Sequence, residues 1–90
     1  MMVRLMVRHK VKDYPAWRAV YDEFDQQRRS MGTLDQAVYV NVDDPLDVTV
    51  THDYATLDAA RAFAGSAELR ERMQQAGVDG EPQIWFVNPA

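Results

Sequence analysis

Residues 2–11 alternate in character: Val3, Leu5, Val7, His9 and Val11 fall on one side of an extended chain, and Met2, Arg4, Met6, Arg8 and Lys10 on the other. A period of two is incompatible with a helix and demands a strand whose apolar side is covered by something else. Ninety residues must supply that cover. A chain this short has room for one core, so a single domain spanning 1–90 is expected. The period then changes. Asp13 offers a side-chain oxygen as a helix cap, Pro15 fits a first turn, and Trp17, Val20, Tyr21, Phe24 and Met31 recur at helical spacing, which predicts one long amphipathic helix ending near Gly32. Its other side, with Arg18, Asp22, Glu23, Asp25, Gln26 and Arg29, reads as a solvated face.

Stretches 37–42 and 48–54 are rich in β-branched and aromatic residues, and the turn-forming cluster Asp43-Asp44-Pro45-Leu46-Asp47 between them predicts a hairpin. Thr56 can cap a short helix that runs to Ala64. Gly65 interrupts it, Ser66 can cap a second segment with Leu69, Met73 and Ala76, and Gly77 ends it. Beyond Glu81-Pro82, residues 83–88 form a last strand that is apolar on both sides, with Pro82 suited to a strand start or an edge. Strand, helix, strand, strand, helix, strand, with right-handed crossovers, is the α+β, ferredoxin-like βαββαβ arrangement: a four-stranded antiparallel sheet with two helices on one face. Large apolar groups remain for the uncovered face, and a second copy of the chain is the expected cover, giving a homodimer. Arg4 and Arg8 lie on that face and need carboxylate partners such as Asp35 or Asp53.

The net charge of -4, with basic residues interspersed among acidic ones, argues against a nucleic-acid partner. The absence of cysteine excludes disulfides, thiolate nucleophiles, thiolate zinc sites and iron-sulfur clusters. No apolar run approaches membrane-spanning length, and Arg4, Arg8 and Lys10 break any hydrophobic signal core, so no membrane partner and a cytoplasmic location are expected. His9 and His52 fall toward opposite ends of the sheet and sit in no ligand-spaced motif, which leaves no metal site. Ser30 and Ser66 have no adjacent base. There is no glycine-rich phosphate loop.

The element order, together with the stretch Val48-Thr49-Val50-Thr51-His52-Asp53-Tyr54-Ala55-Thr56, then Ala60 to Phe63, and Ser66-Ala67-Glu68-Leu69, resembles the dimeric α+β barrel superfamily. The likeness is to its antibiotic-biosynthesis-monooxygenase-like (ABM-like) proteins in particular. It covers nearly the whole chain and implies a homodimer with a ligand pocket between sheet and helices. The superfamily includes cofactor-free oxygenases of aromatic polyketides, haem-degrading enzymes, isomerases and proteins with no known activity, so fold analogy does not choose among them. Haem-degrading members pair an Asn on the first strand with a Trp at the end of the third and an iron-binding His in the second helix. Val7, Tyr54 and Met73 stand in those places here, and the departure argues against haem.

With the pocket so placed, strand parity puts His9, His52 and Tyr54 on its side of the sheet, and Trp17, Tyr21 and Phe24 close it from the helix. Aromatic walls with a few inward polar groups suit a flat aromatic or apolar metabolite. His52 is the candidate general base and Tyr54 the candidate for orienting a substrate oxygen; His9, Trp17, Tyr21 and Phe24 are the candidate ligand-binding residues, and no cofactor is required. The chemistry is proton removal from an activated phenol or anthrone-type carbon, after which the anion gives an electron to oxygen. Two alternatives use the same residues: a non-catalytic binding or stress-associated dimer, and an isomerase or cyclase in which His52 shuttles a proton. In the plainest reading the aromatics are core and His52 is a strand histidine bonded to backbone or to an acidic neighbour.

Overall fold

The computed structural model describes residues 2–90. Strands β1 (Val3–Val11), β2 (Asp35–Val40), β3 (Asp47–Tyr54) and β4 (Val78–Val87) form one antiparallel sheet in the order β2-β3-β1-β4. Helical segments α1 (Tyr14–Glu23) and α2 (Asp25–Ser30) follow β1, and α3 (Leu57–Ala64) and α4 (Ala67–Gln75) follow β3. This is the ferredoxin-like α+β order expected from the sequence, with each helical layer in two pieces.

The caps act where the sequence offers them. Asp13 accepts from the Ala16 N–H at 3.1 Å, Thr56 from Ala59 at 3.1 Å and Ser66 from Leu69 at 3.2 Å, each satisfying a first-turn donor that the helix itself leaves free. The first helix is not continuous as expected. At Phe24 (φ -80, ψ -6) the backbone N–H is shared between the Val20 and Tyr21 carbonyls, a tightening that separates α1 from α2. Residues 25–30 contain no apolar side chain to hold a long helix straight against the sheet. With the break, Phe24 and Arg28 are both buried.

The last strand starts five residues earlier than expected. Between Arg8↔Gln83 and Lys10↔Asp79 the register of β1 against β4 shifts, so β4 carries extra residues there. Gly80 takes φ +79 in this bulge, and Pro82 lies in an edge strand where its missing N–H is tolerated. The strand therefore passes through residues that read as its boundary.

Pairing of Leu5 with His52, Val7 with Val50 and His9 with Val48 puts these side chains on the face that packs against the helices. That core has two parts. One holds Leu5, Val7, Phe24, Tyr54, Ala60, Phe63 and Leu69, and the other Val11, Trp17, Val48, Val50 and Ala76. On the opposite face Arg4 grips Asp53 through two bonds (2.7 and 3.1 Å) and Arg8 grips Asp47 through two (3.1 and 2.7 Å). The expected Asp53 partner is in place. Arg8, however, pairs with Asp47 rather than Asp35, because Asp47 precedes its cross-strand neighbour Thr49 by two positions and reaches the same side of the sheet.

Candidate functional site

A cavity of about 50 Å³ lies at the seam between the two core clusters. Val7, His9, Val50 and His52 of the sheet form its floor, Trp17, Val20, Tyr21, Phe24 and Arg28 one wall, and Leu69, Arg72, Met73 and Ala76 the other. Val20 and Tyr21 of α1 and Arg72 and Met73 of α4 are half-buried, so the cavity meets solvent between these two helices. An apolar cavity of about 150 Å³ accommodates benzene, so an aromatic guest here requires side chains to move. Met73 and Arg72, long and unbranched, stand at the mouth and can do so.

Five of the six sequence-derived candidates meet at this cavity: His9, Trp17, Tyr21, Phe24 and His52. Their rings form a run. Trp17 stacks on Tyr21 at 5.0 Å between centroids, His9 tilts against Trp17 at 5.7 Å, and His52 lies between Tyr21 at 6.4 Å and the edge of Phe63 at 5.1 Å. Tyr54, the sixth, is elsewhere. It is fully buried on the same sheet face but does not line the cavity, and its hydroxyl accepts a 3.0 Å bond from Thr33. Parity gives the face of a strand but not the position along it, and two residues past His52 the core has already closed.

Among the described residues, the buried side-chain polar atoms without a partner are both ring nitrogens of His9, both of His52 and the Tyr21 hydroxyl. The three residues that carry them all line this one cavity. Leaving a buried polar atom unpaired costs about 1–3 kcal/mol, and the residues that bear this cost are gathered around a single space. Burial holds both imidazoles neutral. The His9 pKa is lowered to about 4 by desolvation, partly offset by Asp47, and that of His52 to about 3 by desolvation and then by the nearby Arg28 charge. Burial also raises the Tyr21 and Tyr54 hydroxyls above the ordinary tyrosine value, against Arg28 for the first and the Thr33 bond for the second.

Arg28 is the buried charged residue of this cavity that sequence reasoning missed. It is 1% exposed, its Nε donates to Gln36 Oε1 (2.8 Å), its Nη1 to the Tyr21 carbonyl (2.6 Å), and its guanidinium lies 3.8 Å from the Tyr21 ring centroid. Desolvation lowers its pKa, but a guanidinium starts so high that it stays charged. One signal was available: Arg28 continues the Trp17, Tyr21, Phe24 spacing by four. A charged residue within a polar run is ordinarily read as solvent-facing. His9 and His52 stand four residues apart in register, and among the described residues no group of three or more His, Cys, Asp or Glu is placed to hold a metal. No described helix is long and apolar enough to cross a membrane.

A four-stranded antiparallel sheet with paired helical layers on one face is a fold that this chain shares with solved structures described as antibiotic biosynthesis monooxygenases. The chain is similar throughout to a conserved protein from Methanosarcina mazei (15% identity, covering 100% of this chain and 94% of that one, TM-score 0.79). It is similar also to SnoaB, a cofactor-independent oxygenase from Streptomyces nogalater (12%, 99% and 95%, TM-score 0.75), and to Rv0793 from Mycobacterium tuberculosis (17%, 100% and 96%, TM-score 0.72). Identities this low carry the fold alone. Neither a protein-family model nor a curated protein sequence matches the chain.

Proposed function

We propose that the protein is a cytoplasmic homodimer of the 1–90 domain that takes a small aromatic metabolite into the cavity of each subunit and oxidises it with molecular oxygen, without a cofactor. The observation that carries this reading is the gathering, around one aromatic-walled cavity, of the three residues that carry five unpartnered polar atoms. SnoaB, described as a cofactor-independent oxygenase, has the same fold. In the reaction, His52 removes a proton from an activated ring carbon, and the carbanion passes one electron to O2. The resulting radical pair joins as a peroxide, which takes up a proton and loses water to leave a carbonyl. A CH2 group and O2 thus become C=O and H2O.

An imidazole with a pKa of about 3 is a weak base. Deprotonating a phenol-like acid of pKa about 10 with it is uphill by roughly 7 units, or about 10 kcal/mol. Turnover of 1–1000 s⁻¹ allows a barrier of roughly 13–17 kcal/mol, so the step is permitted, and stabilisation of the anion by Arg28 lowers it further. In this reading Tyr54 supports the strand that carries His52.

The homodimer is supported by β4, whose Ile84, Trp85, Phe86 and Val87 are each more than a third exposed although they alternate between both faces of the sheet. A second copy is the cover expected for such a strand.

A non-catalytic aromatic-binding dimer is the second reading, favoured by the small cavity and the weak base. Oxygen uptake by purified, metal-free protein against anthrones, hydroquinones and polyphenols separates the two, with His52→Ala in parallel. Uptake that disappears in the variant assigns an oxygenase and its base. No uptake, with the melting temperature raised by the same compounds, assigns the binder. Silence in both measurements defeats the cavity as a functional site.

A further inference from the structure

Arg28 is a buried cation with incomplete compensation. Its carboxylate partner is Asp25, at 3.4 Å, and Asp25 is also held by Arg29 at 3.0 Å and by Gln36 at 2.5 Å. A guanidinium has five N–H donors, and the bonds to Gln36, the Tyr21 carbonyl and Asp25 use three of them. The same guanidinium lines the cavity with His52 and His9, respectively 4% and 6% exposed, whose ring nitrogens have no partner, and with the unpartnered Tyr21 hydroxyl. A neutral imidazole and a phenol each offer one donor. Residues that carry a positive charge, spare N–H groups and further donors therefore meet around one small space whose remaining walls, Val7, Val50, Leu69 and Met73 among them, are apolar except for the half-buried Arg72 at the mouth.

We propose that Arg28 makes the cavity selective for the ionised form of its ligand: a planar aromatic molecule with a single oxyanion, a phenolate or enolate, whose oxygen takes up the donors of Arg28, His52 and Tyr21. One buried cation matches one negative charge, and the apolar walls disfavour a multiply charged group such as phosphate. The proposal rests on the cavity being an aromatic-ligand site, and it adds the charge state that the site prefers.

The test uses two probes, 4-nitrophenol, which ionises near neutral pH to a coloured anion, and 4-nitroanisole, the same ring with its oxygen methylated. Absorbance titration of nitrophenol against pH, with and without saturating protein, should show the pKa of the bound phenol lowered by at least about one unit, an anion preference of about tenfold or more. The ether should bind at least about tenfold more weakly than the anion. Arg28→Met should abolish the shift and Arg28→Lys restore part of it. Should Arg28→Met fail to fold, the two wild-type titrations decide alone. A bound pKa that is unchanged or raised, as an uncompensated apolar cavity would give, with the ether bound equally well, overturns the role of Arg28 but leaves the aromatic site standing. Binding of neither probe overturns both.

Discussion

His52 costs the fold stability wherever its nitrogens stay unpaired, and that cost distinguishes a functional imidazole from a structural one. Both nitrogens are buried without a partner, so His52→Leu, which fills similar space without polar atoms, should raise stability by about 1–3 kcal/mol in urea unfolding while abolishing turnover. A loss of stability would mean that the imidazole is satisfied in solution and belongs to the core. The same burial sets the response to acid. The folded pKa values of about 4 for His9 and about 3 for His52 lie below the ordinary 6.5. The unfolded chain therefore binds protons first as pH falls through 6.5, and stability declines from there until the folded groups titrate. With two protons involved, the slope approaches about 2.7 kcal/mol per pH unit. The carboxylates of Asp25, Asp44 and Asp47, held below the ordinary 3.8 by their bonds to Gln36, Lys10 and Arg8 respectively, lose their contribution only at lower pH. Urea midpoints between pH 7 and 4.5 should fall for the wild type and stay nearly level for the His9→Leu/His52→Leu double variant; a level wild-type profile would contradict the neutral buried state. The strand alternation was enough to place both histidines on the helix face. Arg28 could not be read in the same way, because its burial depends on Gln36 from β2 and on the break at Phe24, neither of which has a local sequence signature.

At the level of elements, what could be read locally is what local chemistry fixes: the caps at Asp13, Thr56 and Ser66, the glycine stops at Gly32 (φ +103) and Gly77 (φ +76), and the alternation of β1. Where tertiary context decides, the sequence was ambiguous. Gly80 and Pro82 read as a boundary, yet the edge position of β4 lets the strand include both. Gly80 gives this claim a test. A Cβ built there meets nothing within 4 Å, so a substitution is opposed by the left-handed backbone and not by crowding. Gly80→Ala should therefore cost about 1 kcal/mol, and Gly80→Asn, which tolerates that conformation, clearly less. Equal costs for the two in urea unfolding would mean that the bulge is not held in this conformation.

For the molecule as a whole, the sheet face away from the helices is the surface on which the proposed dimer is tested. Register puts Trp85 beside Met6, Val87 beside Arg4 and Tyr39 beside Thr49 on this face, and Trp85 and Tyr39 are 40% and 58% exposed. Charges on such a face would oppose association if they entered it unpaired. Arg4 and Arg8 do not, since Asp53 and Asp47 already satisfy them within the chain, so a second copy could lie against the apolar groups without stranding a charge. The two-sided apolarity of the last strand was legible in the sequence, as was the Asp53 partner; the pairing of Arg8 with Asp47 was not, because it depends on β1–β3 register. The expectation is a wild-type dimer in sedimentation velocity at micromolar concentration, and for Trp85→Ala a loss of about 2 kcal/mol or more, roughly thirtyfold in Kd. The tryptophan lies in an exposed edge strand, so the variant should retain its fold by circular dichroism. A wild type that is monomeric at micromolar concentration would remove the dimer. A Trp85→Ala protein as tightly associated as the wild type would instead move the interface off this face, and the exposed apolar residues of β2 and its following loop, Val40, Val42 and Leu46, would become the surface to substitute next.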